Sequence, residues 1–257
     1  GNLLTASHPQ QLFPLQVYLK DYTFDNTVEN LGSTRFMKVA RAANSAGCQV
    51  WKVFVSPDFS VNLEIYRSEF DRIANSCLLP NCSPFRHIPK LDDANKSVII
   101  CRPYHKLTLT ERLTTRPFVV PIERIWYTYQ LLRALSQCHS VNVCHGDLKS
   151  QNVLLSSYGW LHITDFAFFK PTYLPEDDPS VFSYFFDTSR RQTCYIAPER
   201  ILNPLDYKTK GELSSTKLIS EGLTPTMDIF SAGCVIYELF SDGHPPLHMD
   251  HLSNIVR

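Results

Sequence analysis

Eight consecutive residues near the middle of the chain constrain its possible folds more than any other feature. The stretch His145-Gly146-Asp147-Leu148-Lys149-Ser150-Gln151-Asn152 places an acid, a lysine two residues later and an asparagine five residues later in one short loop. Two shorter motifs follow in order, Asp165-Phe166-Ala167 and then Ala197-Pro198-Glu199. Three motifs in this order predict a fold that is organised around one catalytic site.

The residue types in the first two motifs match the needs of phosphoryl transfer. That reaction requires a carboxylate that orients the attacking hydroxyl, oxygen ligands for magnesium and a cation beside the phosphates. Asp147 suits the first role and Lys149 the last, so both are predicted to be catalytic. Asn152 and Asp165 are the predicted metal ligands. The alternative is that Asp147 only caps a turn and that Asp165 is an acid on a surface loop. The presence of Lys149 and Asn152 in the same loop as Asp147 argues against this alternative.

Length, charge and cysteine content limit the classes of protein to which the chain can belong. With 257 residues it is long enough for two lobes that share a cleft. The 25 basic and 25 acidic residues balance without a dense Lys/Arg run, so nucleic acid is not expected as a partner. The longest apolar run, Ile229 to Phe240, is too short to span a bilayer and predicts a buried helix. Eight cysteines without a Cys-x-x-Cys pair indicate reduced thiols in a cytoplasmic protein.

The first third of the chain is predicted to be rich in strands. Residues 23–55 have a strand pattern, in which Lys52 stands among apolar neighbours. A lysine in that position is costly unless it is paired or functional. Leu63 to Ser76 has a helical pattern that carries Glu69, and Ser97 to Cys101 is a short apolar strand.

The remainder of the chain is predicted to be mainly helical. Pro121 opens a helix, because proline is favoured in a first helical turn. Apolar residues then recur at helical spacing at Ile125, Tyr129, Leu132 and Leu135. The predicted fold class is α+β, with a small β-rich lobe followed by a larger helical lobe.

Nearly the whole chain resembles a eukaryotic-type protein kinase domain, which implies a bilobal kinase fold. Further segments resemble one family more narrowly, the phosphoinositide 3-kinase regulatory subunit 4 family of kinase-like, membrane-anchored partners of class III phosphatidylinositol 3-kinase. These segments are Leu31 to Phe36, Thr115 to Phe118, Phe168 to Asp177, Tyr184 to Arg191 and Thr193 to Arg200. Members of that family continue into helical-repeat and propeller regions, so the chain is expected to be part of a longer protein.

The resemblance implies roles for residues of the first lobe. Gly32, Val39, Lys52 and Glu69 are expected around bound ATP, with Lys52 on the α- and β-phosphates and Glu69 as its partner from the helix. The alternative for Lys52 is a side chain that extends from a surface strand into water. Glu64 is the competing partner for this lysine. ATP and Mg²⁺ are the expected cofactors.

Several positions depart from the kinase pattern. Thr34 and Met37 stand where the phosphate-covering loop should have two glycines after Gly32, and they are expected to hold that loop away from the phosphates. Ala167 replaces the glycine after Asp-Phe, which reduces backbone freedom. Gly146 replaces the arginine that normally contacts a phosphorylated activation segment. Metal binding is expected to survive these changes, whereas turnover is expected to be slow.

The predicted domain bounds are an N-terminal segment at 1–22, a β-rich N-lobe at 23–104 and a helical C-lobe at 105–257, which is expected to be incomplete.

The first five residues fit an N-myristoylation pattern if an initiator Met has been removed. Gly1 is therefore the predicted lipidation site, and a glycine that begins the chain by chance is the alternative. Glu199 is expected either to be a buried charge without its usual arginine partner or to be solvated because the C-lobe opens.

Three functions are compatible with the sequence. The first is a non-specific serine/threonine protein kinase that uses ATP and magnesium, since Lys149 resembles the Ser/Thr-directed class. The second is a nucleotide-binding pseudokinase that serves as a scaffold for a lipid kinase. The third, a small-molecule kinase of the aminoglycoside or choline type, is disfavoured by Ala197-Pro198-Glu199. The resemblance implies that the partners are the class III phosphatidylinositol 3-kinase catalytic subunit and its autophagy and endosomal complex, on whose membranes this cytoplasmic protein would be peripheral.

Overall fold

The computed structural model of the protein describes most of the chain, namely residues 18–19, 22–33, 37–55, 63–88, 97–187, 193–211 and 222–248. Contacts divide the chain into two compact units, residues 1–67 with 86–104 and residues 68–85 with 105–257. The first unit contains a large sheet, and the second contains most of the helices. The predicted α+β class, with strands first and helices later, is confirmed. Within the described segments, no helix has the length and apolar character needed to cross a membrane.

An antiparallel sheet of five strands forms the first unit. Its central strand has the predicted alternation, since Trp51 and Val53 are buried on either side of a partly exposed Lys52. The strand order is β1-β2-β3-β5-β4. The strands are β1 (Glu29–Ser33), β2 (Met37–Asn44), β3 (Gly47–Val55), β4 (Arg86–Ile88) and β5 (Ser97–Pro103).

Six helices and five short strands make up the rest of the described chain. The boundary between the two units falls within the first helix, which has the predicted bounds. The helices are α1 (Leu63–Ser76), α2 (Leu109–Thr114), α3 (Pro121–Ser140), α4 (Pro179–Phe185), α5 (Pro204–Gly211) and α6 (Pro225–Phe240). The strands are β6 (Leu107–Thr108), β7 (Val153–Leu155) and β8 (Leu161–Ile163) in one sheet, and the parallel pair β9 (Leu174–Pro175) and β10 (Ile201–Leu202).

Helix α3 begins at Pro121 as predicted, but it buries a different face from the one that its apolar spacing indicates. The N–H of Val120, just before the helix, donates to the Glu123 carboxylate at 3.0 Å. The buried residues are Tyr127, Gln130, Leu131, Ala134, Leu135 and Cys138. Three of the four predicted apolar positions, Ile125, Tyr129 and Leu132, are exposed by 58%, 54% and 44%. The helix is apolar on more than one side, so spacing alone does not identify the packed face.

Helix α6, which was predicted to be a buried helix, is buried on one side only. Ile229, Tyr237 and Phe240 are each about half exposed. Its buried side instead carries two acids, Asp228 and Glu238, among apolar residues. Buried acids need hydrogen-bond donors, and both have them on the loops that form the candidate site.

Candidate functional site

The predicted catalytic loop joins α3 to β7 and is fixed to helix α6 by a single carboxylate. The backbone N–H groups of His145 and Gly146 donate to the two carboxylate oxygens of Asp228, at 2.7 and 2.9 Å. His139 Nε2 donates to the same carboxylate at 2.9 Å. Burial opposes the charge on Asp228, but these hydrogen bonds outweigh it and lower its pKa below the ordinary value. Asp228 is therefore a charged anchor for the loop.

His145 connects this loop to the Asp165 motif. Its side chain is fully buried, and its ring lies 4.8 Å from that of Phe166. Nε2 donates to the Thr164 carbonyl at 2.8 Å, and Nδ1 accepts from the Asp147 N–H at 3.3 Å. One ring nitrogen donates and the other accepts, which is the pattern of a neutral imidazole. Burial lowers the pKa of His145, in agreement with that state.

Asp147 lies at the centre of the site with the other predicted residues of its loop. Its carboxylate is buried, and Oδ2 accepts from Asn152 Nδ2 at 3.2 Å. Lys149 Nζ lies 3.4 Å from the same oxygen. The strongest contact comes from Lys170, whose Nζ donates to Oδ2 at 2.7 Å. Two lysines therefore share one carboxylate oxygen.

The charged side chains around Asp147 determine the protonation state of its carboxylate. Burial alone would raise the pKa of Asp147, but Lys149 and Lys170 together outweigh burial and lower it. Burial lowers the pKa of Lys170, while the neighbouring Asp147 opposes that change. The ammonium group of Lys170 also lies 5.0 Å from the centre of the Phe186 ring, which favours the charged form. Asp147 is thus an ionised but weakly basic carboxylate.

The two predicted metal ligands occupy neighbouring backbone positions. The Thr164 N–H donates to the Asn152 carbonyl at 3.0 Å, so Asn152 pairs with the residue that precedes Asp165. Asp165 has a φ of +64°, a conformation uncommon outside glycine and often found at functional sites. The side-chain bonds described for Asn152 use Nδ2, which leaves Oδ1 as the atom available to a cation. Amide and carboxylate oxygens are both suitable ligands for magnesium.

Ala167, which was expected to reduce backbone freedom, fits its position without backbone strain. Among the described residues, those other than glycine with a positive φ are Asn142, Asp165 and Asp242, so Ala167 has an ordinary backbone conformation. Its N–H donates to the His145 carbonyl at 2.8 Å. The glycine that usually follows Asp-Phe is therefore not required in this conformation.

Gly146, by contrast, depends on being glycine. Its φ is +76°, and a Cβ added there would lie 2.8 Å from Leu223 Cδ1. The carbonyl of Gly146 accepts a 2.8 Å hydrogen bond from Arg200 Nη1. The catalytic loop therefore has no arginine at this position, and Arg200 contacts the loop from the end of the activation segment, the stretch that begins at Asp165 and ends at Glu199.

Arg200 is almost completely buried, which the sequence did not indicate. Besides Gly146, it donates to the carbonyls of Thr172 at 2.7 Å and Pro171 at 3.0 Å. It therefore fastens the start of the activation segment to the catalytic loop. Glu199 beside it is exposed, so of the two alternatives expected for Glu199 the buried, unpaired charge is wrong and the solvated carboxylate is the one observed.

The predicted nucleotide-binding residues of the first unit lie on adjacent strands. Gly32 is paired with Val39, and Val39 with Lys52, so the three residues form a row across β1, β2 and β3. Met37 is 7% exposed and is part of the core, rather than a side chain that blocks phosphates. Thr34 and Gly1 lie outside the described residues. The role of the row in binding ATP stays a prediction.

Glu69, the predicted partner of Lys52, forms an ion pair with a residue of its own helix, Arg72. Its two carboxylate oxygens accept from Arg72 Nε at 2.8 Å and Nη2 at 2.6 Å. The competing Glu64 forms an ion pair with Arg67. Neither pairing was predicted, although both have the i to i+3 spacing that joins charges on a helix. The Lys52–Glu69 pair stays a prediction.

Three groups in the site were missed from the sequence: Lys170, Arg200 and Asp228. Lys170 belongs to a segment that carried the family resemblance, but no role was assigned to it. Asp228 was given no role from the sequence. Their partners lie 23 residues from Lys170, up to 54 residues from Arg200 and up to 89 residues from Asp228, so no local pattern could reveal them.

Comparisons with known proteins agree with this geometry. A family model described as protein kinase domain matches residues 26–257. A serine/threonine-protein kinase VPS15 from Arabidopsis thaliana is 42% identical over 87% of the chain, which covers 14% of that relative. A probable serine/threonine-protein kinase vps15 from Dictyostelium discoideum is 43% identical over 84% of the chain and 11% of the relative. The VPS15 of Saccharomyces cerevisiae is 40% identical over 88% of the chain and 15% of the relative. The chain spans 11–15% of the length of these proteins.

Proposed function

Because this chain belongs to the protein kinase family and is similar to the kinase domains of VPS15 proteins, we propose that it binds ATP with Mg²⁺ and phosphorylates protein Ser or Thr slowly. The observation that carries the proposal is the cluster of Asp147, Lys149 and Asn152 beside Asp165. These residues supply a carboxylate, a cation and two oxygen ligands, the parts that phosphoryl transfer needs.

Each residue has one role in the proposed reaction. Asn152 and Asp165 hold the metal ion, which supplies charge neutralisation at the phosphates when it is bound. Asp147 accepts the hydrogen bond of the attacking hydroxyl and receives its proton. Lys149 balances charge on the transferring group. Lys170 slows the reaction, because it occupies Oδ2 of Asp147 and makes the carboxylate a weaker base.

A nucleotide-binding pseudokinase is the second candidate, and the same Lys170 contact favours it. If Lys170 remains on Asp147 after substrate binds, the carboxylate cannot take the hydroxyl proton, and the domain acts only as a regulated scaffold. Gly146 supports this candidate as well, because no arginine on the catalytic loop is present to respond to phosphorylation.

Nucleotide binding and phosphate transfer, measured on the same variants, test the proposal. We expect Asp165→Ala to abolish the magnesium dependence of ATP affinity. Asp147→Ala should leave that affinity nearly unchanged and remove transfer. Asp177→Ala, at an exposed position, is the control and should change neither property.

Three outcomes of this experiment are decisive. Equal loss of ATP affinity in Asp147→Ala and Asp165→Ala would contradict the division of roles. Magnesium-dependent binding without any transfer by the wild type would select the pseudokinase. No nucleotide binding at all would exclude both candidates.

For the longer protein, we propose the context that the regulatory subunit 4 resemblance implies. The chain would act with the class III phosphatidylinositol 3-kinase catalytic subunit and its autophagy and endosomal partners. Myristate on Gly1 would help to attach it to those membranes, but only partly, because one acyl chain is a weak anchor. Mass spectrometry of the cellular protein tests this directly, since an unmodified N-terminal glycine would contradict it.

A further inference from the structure

A group of potential metal ligands lies beside the catalytic loop, on the side of its anchor. Among the described residues, one group of His, Cys and acidic side chains brings its ligand atoms within 4.8 Å of one another: His139, Cys144 and Asp228. His139 is in the last turn of α3, Cys144 directly precedes the catalytic loop, and Asp228 is in the first turn of α6. Neither His139 nor Cys144 has a role in the proposed reaction.

Asp228 is a fixed and charged member of this group. Its side chain is 1% exposed, and its pKa is lowered although burial opposes the charge, because it accepts hydrogen bonds from His139 and from the loop. The N–H groups of His145 and Gly146 hold one carboxylate oxygen each, at 2.7 and 2.9 Å. These two bonds do not depend on His139. They would therefore keep the carboxylate in place if an ion took over from the histidine hydrogen.

The other two ligands are accessible to an ion from solvent. The side chain of His139 is 15% exposed, and its Nε2 lies 2.9 Å from Asp228 Oδ2. Cys144 is partly buried, and its thiol donates to the Leu223 carbonyl at 3.7 Å, which is a weak bond. An ion can thus displace the hydrogens of both side chains without breaking a strong contact to another residue.

The spacing of the three ligand atoms is close to that of a tetrahedral zinc site. With bonds of about 2.3 Å to sulfur and about 2.0–2.1 Å to nitrogen or oxygen, ligand atoms around zinc lie roughly 3.3–3.6 Å apart. The 2.9 Å separation of His139 from Asp228 must therefore lengthen by about 0.4 Å. Because no separation in the group exceeds 4.8 Å, the sulfur must approach by at most about 1.2 Å. Shifts of this size can be shared among the three side chains.

The ligand types and their charges select the ion. A thiolate disfavours magnesium and calcium, whereas an imidazole and a thiolate together suit zinc. The carboxylate of Asp228 and the thiolate of Cys144 carry two negative charges, so a divalent ion leaves this partly buried group neutral. Burial and the neighbouring Asp228 raise the pKa of Cys144 to about 11, so its thiol stays protonated until an ion displaces the proton.

We propose that His139, Cys144 and Asp228 form a binding site for one zinc ion, whose fourth position is taken by water. The S–H bond of Cys144 breaks as the Zn–S bond forms, and its proton passes to water. The hydrogen on His139 Nε2 moves to Nδ1, so that the Nε2 lone pair binds the ion. No group is oxidised or reduced. The ion would join the end of α3 and the start of α6 to the residue that precedes the catalytic loop.

Titration of the reduced, metal-free protein with Zn²⁺ tests the site, without nucleotide or magnesium and with a chromogenic chelator as competitor. We expect the wild type to bind one equivalent and to melt at a higher temperature, because the ion binds the folded state. With Co²⁺ as the probe, it should show a thiolate-to-cobalt charge-transfer band. Cys144→Ala and His139→Gln should each weaken zinc binding by more than about 10–100-fold, the loss that substitutions outside the ligand set cause. Cys144→Ala should also lose the cobalt band.

Three variants with unchanged zinc affinity are expected as controls. Cys82→Ala tests binding by the other buried thiols, and His244→Gln tests binding by an exposed histidine. Asp165→Ala tests binding at the proposed magnesium site. Its zinc affinity should persist even where its magnesium-dependent ATP affinity is lost, so the zinc site and the proposed function fail or succeed separately.

A folded wild type that binds no zinc would overturn the proposal. So would full zinc affinity in Cys144→Ala, or loss of the ion in Cys82→Ala or Asp165→Ala. If Cys144→Ala does not fold, as judged by circular dichroism, Cys144→Ser replaces it. The cobalt band should then be absent, and its persistence would assign the thiolate to another cysteine.

Discussion

At the scale of single residues, the most consequential contact is the one between Lys170 and Asp147. Both side chains are buried, and their 2.7 Å bond is shorter than the 3.4 Å separation of Asp147 from Lys149. The predicted catalytic carboxylate is thus neutralised mainly by a residue of the activation segment. Lys170 therefore acts on both the stability and the basicity of the site.

Replacement of Lys170 by Met should separate these two effects. We expect a loss of about 1–3 kcal/mol of unfolding free energy, because a buried carboxylate loses its closest donor while Lys149 remains. The pKa of Asp147 should rise, and any phosphate transfer should become faster. Denaturant unfolding and a transfer assay measure the two effects. Lys208→Met, at an exposed lysine of α5, is the control and should change neither. Unchanged stability in Lys170→Met would show that the contact is not formed in solution.

At the scale of elements, local patterns were predictable and long-range pairs were not. The bounds of α1 and the start of α3 followed from spacing and from Pro121, since both depend on neighbours in the sequence. Asp147, Lys149 and Asn152 were found for the same reason. Arg200 was missed, because its carbonyl partners lie 28 to 54 residues away. The exposed face of α3 was misjudged because packing partners, rather than apolar spacing, select the buried face.

Arg200 is expected to set the rigidity of the activation segment. Arg200→Met would leave the carbonyls of Gly146, Pro171 and Thr172 without their donor, at a cost of about 3 kcal/mol or more. Amide hydrogen exchange of residues 171–187 should become faster as that segment loosens. Arg133→Met, at an exposed arginine of α3, should leave exchange unchanged. Equal protection in both variants would mean that other contacts hold the segment.

At the scale of the whole molecule, the buried ionisable groups predict a loss of stability in acid. The pKa of His145 is lowered below its ordinary 6.5 by burial, so the unfolded chain takes up that proton first as the pH falls through this value. The pKa values of Asp147 and Asp228 are also lowered. Their stabilisation is present above the ordinary Asp pKa of 3.8 and is lost as the pH falls through their folded-state values. All three contributions have the same sign.

Urea unfolding between about pH 7.5 and 5.5 isolates the histidine contribution. We expect the free energy of unfolding to fall by on the order of 1 kcal/mol in this range. His145→Gln should reduce this slope, since glutamine cannot take up the proton. His244→Gln, at an exposed histidine, should leave the slope as it is in the wild type. A slope that is unaffected by His145→Gln would assign the acid sensitivity to other groups.

The backbone at Gly146 limits what a single substitution there can achieve. Its φ is +76°, and a Cβ would lie 2.8 Å from Leu223 Cδ1, so both the backbone conformation and the available space oppose a side chain. An arginine introduced by Gly146→Arg would meet both obstacles together. Control of this domain by phosphorylation of its activation segment therefore cannot be installed by that one substitution.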